Sequence, residues 1–165
     1  DGSSDPVVNC RLASIARQIL RQSKWCDFAT INSSPNYTTG FPFITPRNFA
    51  EGNATFSTGK PHFYFYPDSE LSADELQLED ITADTRISIS VTTEQQGTCS
   101  RRGYDVQNSK CNWIVYSGRF MKLKKDSKEY KEGLQYLTEK YPTIKEISKN
   151  KKFILGTIEL VDVMI

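Results

Sequence analysis

Apolar residues recur along this chain with two different periods, and the change of period marks out its elements. Leu12, Ile15, Ala16, Ile19 and Leu20 repeat at three- and four-residue spacing, which predicts a helix over residues 11–24. The helix leads directly into Trp25–Ile31, a short apolar run with strand character. A Ser-, Thr-, Pro- and Gly-rich stretch from Asn32 to Gly59 follows, interrupted by Gly40–Ile44, which reads as either a second strand or an extended edge. Lys60–Tyr66 is a strand crowded with aromatic rings, a composition that suits a pleated, half-buried surface, and Pro67 stops it.

Ser72 followed three residues later by Glu75 has the pattern of a capping box, predicting a short helix over about 73–79. Arg86–Thr92 alternates with period two and places Ile87, Ile89 and Val91 on one face. Asn112–Leu123 is a longer strand carrying Trp113, Val115, Tyr116 and Phe120. Tyr130, Leu134, Leu137 and Tyr141 form one stripe of a helix over 127–140, which Pro142 ends. Phe153–Ile165 is a final, mostly apolar strand. Long strands joined by hairpin-like links predict a mainly antiparallel sheet, and so many of them in one domain over residues 1–165 predict a β-barrel with flanking helices.

Composition narrows the function. The chain has 38% hydrophobic and 25% charged residues, and no apolar run reaches the length of a membrane span, so no membrane insertion is expected. A formal charge of +1 supplies no long-range field for nucleic acid, and the Lys-rich stretch over 122–152 is interleaved with Glu, as on a solvated helix face. The opening Asp1-Gly2-Ser3-Ser4-Asp5-Pro6 lacks an initiating Met and reads as a mature terminus left by a signal peptide, or as a truncation. Three glycosylation sequons, at Asn32, Asn36 and Asn53, cluster in the loop-like stretch and agree with secretion; Pro35 after its sequon makes Asn32 the poorest of the three.

Four cysteines match no metal spacing. A straight helix between Cys10 and Cys26 would be roughly 20 Å long, whereas a disulfide needs Cα atoms within about 7 Å. Cys99 and Cys111 instead flank a polar loop between two strands, so the expected bridge is Cys99–Cys111, with Cys10 and Cys26 free or paired in some other way.

The inventory for catalysis is thin, and no catalytic residue and no metal site is expected. The only histidine, His62, lies within a strand without an evident partner and reads as structural. No nucleophile elbow, P-loop or dinucleotide fingerprint is present. Asp68 and Glu70 could form an acid/base pair, but loop and helix carboxylates are usually solvated. Phe63, Tyr64, Phe65 and Tyr66 are read as filling a barrel and a partner interface rather than stacking on a cofactor.

Three stretches carry a family resemblance: "RLASIARQILRQSKWCDFATINS", "GKPHFYFYPDSELSADELQLEDITADTRISISVTT" and "CSRRGYDVQNSKCNWIVYSGRFMKL", the last with two cysteines bracketing a loop before a long strand. In order and spacing they resemble the CREG family, cellular repressors of virally stimulated genes, from about Leu12 to Val163. The resemblance implies a split β-barrel of the FMN-binding, pyridoxamine phosphate oxidase-like type with six or seven strands, and a homodimer. It also implies a secreted glycoprotein, associated with endosomes and lysosomes, that acts in growth and differentiation and is bound through its N-glycans by a mannose-6-phosphate-type receptor. The chain stops at Ile165, short of the family's usual tail.

In flavin-binding relatives of that fold, FMN lies at the dimer interface and basic and hydroxyl groups hold its phosphate. The matching remnant cleft here would comprise Tyr64, Tyr66, Asp68, Arg47 and Arg86, with Arg101 and Arg102 able to swing in. Pro67 removes a backbone donor from that region. Asp68, Glu70, Asp74, Glu75, Glu79 and Asp80 follow, although Asp74 and Glu75 are able to face away onto their own helix N-terminus. At an effective dielectric of about 20, each acid within roughly 6 Å of a phosphate costs on the order of 2–3 kcal/mol. Two or three would offset most of a micromolar affinity, about 8 kcal/mol. No bound flavin is therefore expected. The resemblance implies that a loop in this region intrudes on the cleft, which the residues from Phe41 to Gly59 could do with Phe49 or Phe56; the sequence leaves open which way they fold. The alternatives are an FMN-dependent oxidoreductase working in the interface cleft, or a binding module for another small ligand such as a haem or pyridoxal compound.

Overall fold

The computed structural model describes residues 6–68 and 72–165, with side chains from residue 10 onward. Among the described residues there are six strands: β1 Trp25–Ile31, β2 Pro42–Ala50, β3 His62–Phe65, β4 Arg86–Thr92, β5 Trp113–Lys122 and β6 Ile154–Met164. Every pairing is antiparallel, and the order β1-β2-β3-β6-β5-β4 closes where β4 returns to β1. Closure leaves no long edge exposed. The helices are α1 Pro6–Gln22, α2 Ala73–Ala83, α3 Lys128–Lys140 and the single turn α4 Ile144–Ile147. Among the described residues, no helix is long and apolar enough to cross a membrane.

Period-two patterning decides which rings enter the barrel. Phe28, Phe49, Phe63 and Phe65 are fully buried, and Phe28 meets Phe63 and Phe65 edge-on at centroid distances of 5.1 and 5.8 Å. Each such ring contributes on the order of 2–3 kcal/mol through burial. Ala16, Ile19 and Leu20 of α1 join this core with Ile87, Ile89 and Val91 of β4. His62 and Tyr64 occupy the opposite face of β3, where Tyr64 stacks on Phe153 and joins a second cluster formed by Tyr130, Tyr136, Leu137 and Ile144.

Three boundaries differ from expectation. Helix α1 begins at Pro6 rather than residue 11; proline is well suited to a first helical turn, where its missing N–H has no partner in any case. Helix α2 continues to Ala83 rather than 79, held by the burial of Gln77, Asp80 and Ile81. The first half of the supposed loop from Phe41 to Gly59 is strand. Ile31↔Pro42 through Trp25↔Asn48 pair in continuous register, so β2 carries Pro46 within the barrel wall. Phe49 is consequently a core residue rather than a cleft plug, and Phe56 is 58% exposed.

Candidate functional site

Arg47 organises the end of the barrel under α2. Alternation along β2 turns its side chain inward beside Phe49, and only 7% of the residue is exposed. Its guanidinium lies 3.8 Å from the centroid of Phe65 and 5.3 Å from that of Phe28. Nη1 donates to the Tyr64 carbonyl at 3.0 Å and pairs with Asp74 at 2.9 Å, while Nη2 donates to Gln77 Oε1 at 2.5 Å. Gln77 in turn donates to the Phe28 carbonyl. Burial lowers the Arg47 pKa, and Asp74 opposes that shift by favouring the charged form. A shallow pocket of about 430 Å³ opens beside this network, lined by Trp25, Pro46, Arg47, Asn48, Tyr64 and Asp74.

The acids after β3 do not form one negative surface. The Ser72 hydroxyl accepts from the Glu75 N–H and caps α2 as predicted. Asp74 turns onto Arg47 and also accepts from the Tyr66 N–H at 2.7 Å, so it does not face away. Asp80 is fully buried and accepts from Thr30 Oγ1, the Ser33 N–H and Ser33 Oγ at 2.6, 2.7 and 3.1 Å. Asp68 and Glu79 are exposed, and Glu70 lies outside the described residues. Three-residue spacing on α2 provides the reason: Gln77 and Asp80 share its inner face while Glu79 does not.

The remnant-cleft residues separate into two places. Arg47 and Tyr64 line the pocket just described, and the Tyr66 phenol accepts from Asn150 Nδ2 nearby. Arg86 instead lies on the outer face of β4 in a bidentate pair with Asp84, whose carboxyl the pair lowers to about 2. That face carries a groove of about 500 Å³ in which Ala29, Ser88 and Ser117 form a small-residue floor, with Arg86 and Arg119 at one end. Arg101 is held to the carbonyls of Gln96 and Gly97 within its own loop.

The CREG beta-barrel family model matches residues 9–165. The chain belongs to that family. It is 23% identical to mouse Protein CREG1 over 146 residues, covering 88% of this chain and 62% of the relative. Against human Protein CREG1 it is 30% identical over 111 residues, 67% of this chain and 47% of the relative. The chain therefore spans less than two thirds of the length of these relatives. Two solved structures place the barrel in the split-barrel fold. A heme binding protein from Mycobacterium smegmatis superposes with TM-score 0.65 at 13% identity, over 92% of this chain and 52% of the other. A FAD-binding protein from Mesorhizobium loti does so with TM-score 0.53 at 14% identity, over 88% and 87%.

In this CREG chain the expected disulfide is present: Cys99 and Cys111 are bonded, with Cα atoms 5.5 Å apart, while Cys10 and Cys26 are free. Glu94 lies with these two sulfurs in the one metal-like grouping among the described residues, but the sulfurs are bonded to each other and Glu94 accepts from the N–H groups of Cys99 and Ser100. The sequons have distinct surroundings. Asn32 donates to the Thr38 carbonyl and accepts from the Ser34 N–H, and Ser34 is buried. Asn36 is exposed. Asn53 accepts through Oδ1 from the N–H groups of Thr55 and Phe56 and from the Thr55 hydroxyl.

Sequence reasoning missed a second buried polar centre. Glu51 is 3% exposed, and its Oε1 accepts from Ser57, Thr58 and the Gly59 N–H. Lys140 Nζ donates to the carbonyls of Ser23 and Phe49 at 2.6 and 2.8 Å, and burial lowers its pKa to about 8. The solvated reading of residues 122–152 thus fails at Lys140, the last residue of α3, which reaches across to chain turns that no local pattern reveals.

Proposed function

We propose that this CREG-family chain is a non-enzymatic, secreted or endolysosomal glycoprotein that works as a homodimer through partner and receptor binding, without bound flavin. The state of Arg47 carries this reading. A flavin phosphate bears nearly two negative charges and requires free cations or donors to replace its water. The guanidinium nearest the would-be site is already committed to Asp74, Gln77 and Tyr64, and its remaining Nε is buried. Arg86 is ion-paired to Asp84, and Pro67 offers no N–H. This donor set does not fit a phosphate.

Secretion is supported by the Cys99–Cys111 bridge, which persists in oxidising compartments, and glycosylation by the exposure of Asn36. Exposed apolar residues on the outer sheet, including Trp25, Ile44, Trp113 and Val161, support a shared interface. Receptor capture through mannose-6-phosphate and a role in growth control rest on family membership.

A second reading, a small-ligand or flavin module, is favoured by the groove over Ala29, Ser88 and Ser117 and by the heme- and FAD-binding names of the structural neighbours. The deciding experiment is purification from a eukaryotic secretory host, followed by an absorbance spectrum and titration with FMN and haemin. The proposal expects no flavin or Soret band and no saturable uptake. A yellow protein, bleached by Arg47→Ala or Arg86→Ala, would overturn it.

A further inference from the structure

A cleft of about 760 Å³ has no place in the reading above. It lies between the outer face of α1, contributing Arg17, Gln18 and Gln22, the α3 residues Tyr136 and Glu139, and the turn after β2 that contains Asn53. This volume lies within the range of about 300–1,000 Å³ typical of small-molecule sites.

The turn is held rigidly. Gly52 has φ +64°, and a Cβ there would lie 1.9 Å from the Phe56 carbonyl oxygen. The Asn53 N–H donates to that same oxygen at 2.9 Å, and Arg21 of α1 ties the turn down by donating to the Ala54 carbonyl at 2.6 Å. Three donors saturate Asn53 Oδ1, whereas Nδ2 has no partner among the described residues. A sequon asparagine is thus fixed in the wall of an open cleft of mixed polar and apolar lining, with only its amide nitrogen available.

The chemistry of the walls narrows the occupant. Lys140 at the cleft is already committed to two carbonyls, Arg21 to a third, and Glu51 Oε1 to three donors. What remains is a mixture of amide, guanidinium and carboxylate groups from Gln18, Gln22, Arg17 and Glu139, whose Oε1 accepts from Gln135, with the buried, unpartnered Oε2 of Glu51 and the ring of Tyr136. Such a set both donates and accepts, and with two carboxylates in it favours a neutral polyhydroxylated ligand over an anion.

We infer that the occupant is the chain's own N-linked sugar: the core N-acetylglucosamine units attached at Asn53 lie in the α1–α3 cleft rather than extending into solvent. This rests on the reading of the protein as an N-glycosylated glycoprotein. Attachment exchanges one Nδ2–H for a bond to the sugar C1, and an oligosaccharyl diphosphate donor loses its diphosphate, which carries away the proton. The seated sugar is shielded from enzymes, while a sugar on Asn36 is not.

The test uses protein secreted by a eukaryotic host, with release by peptide N-glycosidase followed site by site by glycopeptide mass spectrometry in ¹⁸O water. If the Asn53 sugar leaves the cleft about a tenth of the time, its release from folded protein is about tenfold slower than that from Asn36. Denaturation should equalise the two, and the double substitution Gln18→Ala/Gln22→Ala, confined to the exposed wall, should accelerate release at Asn53 alone. Equal rates from folded protein would overturn the seated sugar. So would sugar at Asn32 or Asn36 with none at Asn53, which leaves the glycoprotein reading standing; no sugar at any of the three sequons would overturn both.

Discussion

Removing the Arg47 guanidinium tests the polar centre that closes the barrel. In Arg47→Ala, Asp74 loses a partner at 2.9 Å, Gln77 Oε1 and the Tyr64 carbonyl lose donors, and Phe65 loses a cation 3.8 Å from its ring. Breaking a buried ion pair by deleting one partner costs about 3–5 kcal/mol. The Asp74 side chain is 25% exposed and can recover some water, which puts the expected loss near the lower limit, about 3 kcal/mol. For a chain of this size that corresponds to a fall in Tm of roughly 6–12 °C. Asp74→Ala should destabilise by about as much, because it strands a guanidinium that is 7% exposed. The two losses share one interaction, so the double substitution should fall short of their sum by about 1–2 kcal/mol. Guanidinium chloride unfolding followed by far-UV circular dichroism measures all three, since both tryptophans, Trp25 and Trp113, are 39% exposed and report poorly on the core. Strict additivity, or a loss below about 1 kcal/mol for Arg47→Ala, would show that Arg47 is solvated and free to bind an anion.

Two further outcomes follow from buried groups. His62 is 2% exposed, neither ring nitrogen has a hydrogen-bond partner, and Gly133 packs so closely that a Cβ there would lie 2.5 Å from its Cδ2. Burial lowers the His62 pKa, partly opposed by Glu129 at 4.0 Å and by Glu51, with Lys60 adding to the lowering. The folded state therefore keeps the ring neutral where the unfolded chain takes up a proton, so stability falls as pH drops below about 6.5 towards the folded pKa. Proton NMR of the sole histidine and urea midpoints at neutral and acidic pH read this directly; a His62 titration above 6.5 would refute it, and His62→Gln should remove the histidine's share of the slope. Asp80→Ala removes the acceptor for Thr30 and for two donors of Ser33, and should cost about 3 kcal/mol in the same denaturant assay. A neutral result would place Asp80 at the surface with the other acids.

The strands β1 and β4 were legible residue for residue, β4 from the unbroken apolar/polar alternation that one covered sheet face requires and β1 as a short apolar run directly after the helix. The disulfide was legible too, since helix length excluded one pairing and strand neighbours allowed the other. The family was readable from the order of short motifs spread along the chain. Strand β2 was obscured by its two prolines and by a Ser/Thr-rich context, and only pairing with β1 on one side and β3 on the other makes Phe49 a core ring. Local composition also represented the acids after β3 as one negative patch. Their individual fates depend on where distant groups lie: Arg47 and Tyr66 for Asp74, Thr30 and Ser33 for Asp80. Sequence determined the elements, because burial on one face imposes a period that can be read locally. Tertiary structure decided which charges meet, because a buried ion selects its partner across strands that are far apart along the chain.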